Sequence, residues 1–425
     1  MIRSAQLRAP ALIAALAVAS SLALAQPVFH RLGLPPGDEP QNPAFTDVYG
    51  VSNNGIAVGS MYVPNVGFRG FRWTLAGGLT QLDGLAPGSG VFPRVITPDG
   101  LTIAGENTGP QLAFRLSPPA APQGLEIPDE NLYDATAGTD ASDDGSVVVG
   151  LLSRIEDGTF RAARWSEASG WQDLGAIPGD DESRANAVSG DGSIVAGFSV
   201  GSEFSAVKWD AAGNMTVLPI PSGAEIDAAV IAMSSDGAVL VGQVRDSALR
   251  PQAAVWTETT ASLLPVPEGF DSASAFGANG DGSVIVGVAF IDGIGGDEPV
   301  IWRNGQASLL RDELIAAGNN LTGWDLIDLS EVSPNGVYVV GRALNPDGLL
   351  ESFLAQLAPA CVADFDGSGF LDSDDFVAFV GQFTLGCDAP GSPDAGCTRS
   401  ADFDGTGFVD SDDFVAFVQA FASGC

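Results

Sequence analysis

The residues with the most specific chemistry lie near the end of the chain, in two copies of one segment. The copies are ADFDGSGFLDSDDFVAFVGQF (363–383) and ADFDGTGFVDSDDFVAFVQAF (401–421), 38 residues apart. Each contains the pattern D-x-D-x-[ST]-G-x-x-D-x-x-D. Calcium takes roughly six to eight oxygens, and a twelve-residue loop delivers them from positions 1, 3, 5, 7, 9 and 12. In the first copy these are Asp364, Asp366, Ser368, the carbonyl of Phe370, Asp372 and Asp375. In the second they are Asp402, Asp404, Thr406, the carbonyl of Phe408, Asp410 and Asp413. Gly369 and Gly407 fill position 6, where the loop turns sharply. The expected cofactor is therefore calcium, two ions. Residues 360–425 hold 12 Asp, one Arg, no Glu and no Lys, a net charge of -11. Without cations, repulsion among those carboxylates opposes folding.

A helix must carry each loop's last ligand. Phe376, Phe379, Val380 and Phe383 recur at i, i+3, i+4 and i+7, as do Phe414, Phe417, Val418 and Phe421. Pro359 and Ser392-Pro393 stand just upstream, so no helix enters either loop. A loop followed by one helix, twice, with Asp at position 12, resembles type I dockerin. The C-x-ADFDG-…-D-x-D-D-F-x-AF-…-GC pattern is closer still to the GC-type dockerin modules of secreted bacterial proteins. The resemblance covers residues 360–425. It implies that positions 10 and 11, Ser373-Asp374 and Ser411-Asp412, face a cohesin-like or other cell-surface partner protein. The chain departs from type I dockerins in its cysteines, its acidic position 11 and the absence of basic residues on the helices. The four cysteines, Cys361, Cys387, Cys397 and Cys425, permit three pairings. Helices packed antiparallel, as the resemblance implies, bring the end of each near the start of the other copy. That arrangement selects Cys387–Cys397 and Cys361–Cys425.

Upstream, a second repeat dominates. It reads VSNNGIAVG (51–59), TPDGLTIAG (97–105), SDDGSVVVG (142–150), SGDGSIVAG (189–197), SSDGAVLVG (234–242), NGDGSVIVG (279–287) and SPNGVYVVG (333–341). Successive turn glycines are spaced 45, 45, 47, 45, 45 and 54 residues apart, an array of supersecondary units. Asp-Gly or Asn-Gly between apolar runs signals a hairpin. A second hairpin comes next, its first strand ending at Trp73, Trp165, Trp209, Trp256 or Trp302. Four strands in about 45 residues is the size of a propeller blade.

The last copy supplies only three strands, from about Leu329 to Leu357, while FHRLGLPPGDEP (29–40) matches the fourth-strand segment WQDLGAIPGDDE (171–182). The fold predicted for residues 26–359 is thus mostly β, a seven-bladed β-propeller whose N-terminal strand closes the last blade. Closure removes open sheet edges. The 54-residue interval holds an insert with a short helix, LLRDELIAAG, ending at Gly318. The S-x-DG-x-VVVG and A-x-x-W elements, with GNNLTGWDLIDLSEVSPNGVYVVG (318–341), resemble the bacterial extracellular HAF repeats. That family implies an extracellular repeat protein and no particular reaction. The repeated tryptophans read as packing between blades. Trp171 and Trp324 lie off the repeated position and are candidates for stacking on a sugar.

Composition narrows the function. Arg3 and Arg8, the apolar stretch 11–25 and its Ala23-Leu24-Ala25 ending have the form of a signal peptide at residues 1–25, so a secreted protein is expected. Net charge is -35, and -37 without that segment, which disfavours nucleic acid and anionic membranes. No catalytic residue stands out: His30 is the sole histidine, and no pair among 53 acidic residues is distinctive. The expected role is a non-catalytic binding or structural propeller, with a glycan or protein ligand, attached at the cell surface through the calcium module. The alternative is a secreted carbohydrate-active enzyme.

Overall fold

The computed structural model describes residues 26–36, 43–292, 295–357, 373–385 and 411–423. Its contacts divide the chain into two compact units, one of which is Pro27–Leu357. That unit contains seven antiparallel sheets of four strands each. Six take their strands in chain order and form blades I to VI, at residues 45–82, 91–124, 133–173, 182–217, 226–263 and 272–309. Blade VII combines Asp325–Val332, Tyr338–Leu344 and Leu350–Gln356 with the N-terminal strand Val28–Arg31. Val28 pairs with Gln356 and Arg31 with Phe353, so both chain ends build one blade. The expected propeller and its closing device are both present. The last copy begins four residues earlier than expected because its first strand draws on the insert. The insert's helix, α1, spans Leu310–Ala316 and buries Leu310 and Leu314.

The N-terminal strand is pinned by side chains as well as by the ladder. The fully buried Glu351 carboxylate accepts hydrogen bonds from Arg31 Nε and Nη2, each at 2.9 Å, from the Gly33 N–H at 2.9 Å and from Asn345 Nδ2 at 2.9 Å. Asn319, in the insert, accepts from the Phe29 N–H and donates to the Pro27 carbonyl. The Phe29 ring packs against Phe353 and Trp324, at 5.3 and 5.1 Å.

The repeated letters each have a structural duty. In every Asp-Gly or Asn-Gly turn the glycine has φ between 66° and 76°, a region open to it at little cost. In Ser189-Gly-Asp-Gly192, the Gly192 N–H donates to the Ser189 carbonyl. Asp191 then accepts from the Ser189 hydroxyl and the Ser193 N–H, which hold its carboxyl down to about 2. The Ser189 hydroxyl in turn accepts from the Ile194 N–H. The turn aspartates are thus local hydrogen-bond acceptors, and Asp or Asn serves equally. The turns also join neighbouring blades: Asn53 N–H donates to Pro98, Asp143 to Gly190, Gly190 to Ser235, Asp236 to Gly280 and Gly280 to Pro334 carbonyls. Asn335 likewise joins the turn of blade VII to Asn53 in blade I.

The repeated tryptophans are buried between blades, as expected. Trp209, Trp256 and Trp302 donate their indole N–H to the carbonyls of Leu174, Pro219 and Pro265 in the preceding blade. Trp171 is a correction to the sugar-stacking expectation. It is only 5% exposed and donates to the Leu125 carbonyl, doing the same packing work in blade III. Trp324 remains partly exposed, with the Arg31 guanidinium 5.8 Å over its ring.

In the other unit, α2 spans Ser373–Leu385 and α3 spans Ser411–Ser423. Each begins at loop position 10, as expected of a helix leaving a calcium loop. Phe379 stacks on Phe417 at 4.0 Å, both fully buried. On either side of that pair, Phe376 meets Phe421 and Phe383 meets Phe414, at 6.1 and 5.7 Å, the crosswise contacts of an antiparallel helix pair. Val418, assigned to the same stripe, is 37% exposed instead.

Candidate functional site

The first strands of the seven blades pack against one another and line a central channel of about 550 Å³. All seven carry a β-bulge at the same place, with the pairing register interrupted at residues 49, 94, 139, 186, 231, 276 and 330. A bulge leaves one residue unpaired and re-aims its side chain. Here the unpaired residues are Tyr49, Arg94, Thr139, Asn186, Ile231, Phe276 and Ser330, all half-buried. All but Ser330 line the channel.

The bulge also explains why each apolar run ends in glycine. A Cβ added to Gly59, Gly105, Gly150, Gly197, Gly242, Gly287 or Gly341 would lie 1.9–2.1 Å from a carbonyl oxygen of the bulged strand. No other residue fits so close an approach without movement.

Sequence reasoning missed this ring of side chains, although a signal existed. Each bulge residue stands three places before the turn's Ser, Thr or Asn: Tyr49 before Ser52, Arg94 before Thr97, Phe276 before Asn279. The next place carries Gly50, Val95, Ala187, Ala232 and Gly277 in five repeats, but Asp140 and Glu331 in blades III and VII. Both carboxyls line the channel. Asp140 accepts from the Val188 and Ala141 N–H groups, each at 2.8 Å, and Glu331 from the Val332 N–H at 2.8 Å. Those bonds lower their pKa values, yet lost hydration outweighs them. Asp140 is pushed up to about 7, with Asp143 adding repulsion. Glu331 is pushed up to about 8, with Asp140 adding repulsion.

On the face where the first strands begin, the channel mouth is charged and aromatic. Tyr49 donates to Asp47 at 2.8 Å, and the Arg94 guanidinium lies 4.6 Å over the Tyr49 ring. Arg94 is paired with Glu106 at 2.5 Å, and Arg342 with Asp328. Between blades II and III lies a slot of about 340 Å³ that shares Glu106, Ala137 and Leu151 with the channel.

The residues predicted from sequence fall elsewhere. Asp364, Asp366, Ser368, Phe370, Asp372, Asp402, Asp404, Thr406, Phe408, Asp410 and all four cysteines lie outside the described residues. Ser373, Asp374 and Asp375 open α2; Ser411, Asp412 and Asp413 open α3, where Ser411 is exposed and Asp413 fully buried. Among the described residues no group of three His, Cys, Asp or Glu side chains is placed to hold a metal. None of the described helices is long and apolar enough to cross a membrane.

No family model and no curated protein matches the chain. Among solved structures it is similar to oligogalacturonate lyase from Vibrio parahaemolyticus, at 12% identity and a TM-score of 0.49, over 77% of this chain and 92% of that one. It is similar to TolB from Acinetobacter baumannii, at 12% identity and a TM-score of 0.40, over 74% and 80%. It is similar to the β-propeller domain of the Trilobed protease from Pyrococcus furiosus, at 11% identity and a TM-score of 0.48, over 73% and 95%. Likenesses this distant bear on neither substrate nor partner.

Proposed function

We propose that the protein is a secreted binding propeller, anchored to a cell-surface or other extracellular partner through its C-terminal calcium module. The observation that carries the binding role is the ring of bulged residues. One frame, repeated seven times, presents six side chains to the channel, no two of the same type. Such a wall suits recognition of a shaped ligand, in the way small-molecule sites combine apolar surface with a few placed polar groups. The direct test is a ligand screen with the full-length protein and with Tyr49→Ala and Asn186→Ala. Ligands whose binding ignores both changes do not use the channel.

The anchoring role rests on the duplicated loops and on the helices that leave them. Asp413, the twelfth residue of the second loop, is fully buried at the head of α3. That is the place where a loop of this pattern puts its last oxygen ligand. In this reading both loops hold calcium through the residues named above. The cysteines pair as Cys387–Cys397 and Cys361–Cys425. The Ser-Asp pairs at the helix starts offer two equivalent faces to a cohesin-like protein. Pull-down of the producing cell's envelope with and without a chelator tests it: retention in chelator overturns calcium-dependent anchoring.

A second reading, a secreted carbohydrate-active enzyme, has one observation in its favour. Asp140 and Glu331 share the channel with raised pKa values, and raised carboxyls can act as general acids near neutrality. Hydrolysis or elimination of a glycan by the wild type, abolished in Asp140→Asn or Glu331→Gln, would establish it.

A further inference from the structure

We infer that the slot between blades II and III is a subsite for an uncharged oligosaccharide. The inference rests on the binding role proposed above and names the ligand class. The slot's volume of about 340 Å³ lies within the range of small-molecule sites. Its two walls carry one half-buried aromatic ring each, Phe92 from blade II and Phe160 from blade III. Each ring has a guanidinium nearby. Arg94 lies 5.8 Å from the centre of Phe92, and Arg184 lies 5.0 Å from the centre of Phe160. Aromatic rings lining a slot can take the flat C–H face of a pyranose by dispersion and loss of apolar hydration.

The rim supplies directional polar groups. Gln111 is exposed, and Ser153 is half-buried. Glu106, which lines both the slot and the channel, is fixed by one carboxylate oxygen to Arg94. A carboxylate and a guanidinium held side by side present an acceptor edge next to a donor edge, the pattern that adjacent sugar hydroxyls complement.

Charge decides which sugar. Arg94 is matched by Glu106 and Arg184 by Glu182, at 2.5 and 2.7 Å, so each local cation has its own anion. The whole chain carries -35, which repels polyanions at a distance. An uncharged ligand meets neither obstacle.

The experiment titrates the full-length protein, in calcium, with neutral gluco-, xylo- and manno-oligosaccharides, with oligogalacturonate, and with a proline-rich peptide. Phe92→Ala, Phe160→Ala and the exposed Gln111→Ala are compared with wild type. Phe204→Ala, at an exposed ring on blade IV, is the control. The expected result is saturable binding of a neutral oligosaccharide, weakened at least tenfold by either phenylalanine change and several-fold by Gln111→Ala, with the control unchanged. Gln111→Ala keeps the test decisive if a phenylalanine variant fails to fold. Binding of neutral sugar that survives all three changes overturns the slot and leaves the propeller a binding protein. Preference for oligogalacturonate or the peptide overturns the uncharged class. Binding of none of the probes overturns the proposal, and a silent broader ligand screen would remove the binding role as well.

Discussion

Removing Glu351 should unfasten the ring at the point where the two chain ends meet. The carboxylate is fully buried and serves four donors: two nitrogens of Arg31, the Gly33 N–H and Asn345 Nδ2. In Glu351→Ala the Arg31 guanidinium, 60% exposed, rehydrates at little cost. Asn345 is 3% exposed and cannot, and the Gly33 N–H loses its partner. Stranded buried donors cost roughly 1–3 kcal/mol each, and the vacated side chain adds a cavity, so a loss of about 3–5 kcal/mol is expected. For a domain of this size 1 kcal/mol corresponds to roughly 1.4 °C, so the midpoint should fall by about 4–7 °C. Arg31→Ala should cost a comparable amount, because it leaves the fully buried carboxylate without its cation, held by only one neutral and one backbone donor. Hydrogen exchange separates a loosened clasp from a weakened whole: amides of Val28–Arg31 and Leu350–Gln356 should exchange first. A midpoint within about 1 °C of wild type, with those amides still protected, would refute the idea that this carboxylate secures the closure.

Stability should fall as pH rises from about 4 to about 8. Asp140 and Glu331 have folded pKa values raised to about 7 and about 8, so the folded state keeps protons that the unfolded state has released. Both groups line the open channel, which reduces the penalty to about 2 kcal/mol each. Asp140→Asn with Glu331→Gln should flatten the profile in that window, and an unchanged slope would contradict the placement. The turn aspartates act in the opposite sense: Asp191, held down to about 2, contributes stability that is lost as pH falls from about 4 toward 2. Gly150→Ala forces a Cβ to within 1.9 Å of the Ala137 carbonyl oxygen, so thermal unfolding should show a loss of about 2 kcal/mol or more. Calorimetry on the full chain should count about two calcium ions, and Asp364→Ala with Asp402→Ala should remove both; two ions bound by that double variant would refute the loop assignment. Changing Ser373 and Asp374 alone should cost partner affinity little, and changing Ser411 and Asp412 as well should cost much more; a large loss from one copy alone would show a single working face.

The fold was legible because it is written in period and punctuation. The spacing of the Asp-Gly turns announced the blades, and the orphan fourth-strand pattern at residues 29–40 announced the closure. The site was not legible, for a physical reason. A channel residue is defined by an unpaired place in a ladder, and strand alternation offers no sign of where pairing lapses. Asn186, Arg94 and Phe276 differ in polarity, charge and size and share their distance from the next turn. Trp171 failed in the other direction. It lies off the tryptophan register and so looked free for a ligand, but it faces Trp165 directly across two strands and fills the same gap. Position in a repeat identified the packing residues only where the repeat was regular.

The bulge sets the terms on which such a protein can evolve. The glycine that admits the close approach, the serine that caps the turn and the tryptophan that wedges neighbouring blades together are the grammar of the unit. The unpaired residue is outside that grammar. After duplication each copy can rewrite that one letter while the others keep the sheet intact, so the inner wall behaves as a short word spelled on a fixed page. A lineage can change what the channel reads without relearning how to fold.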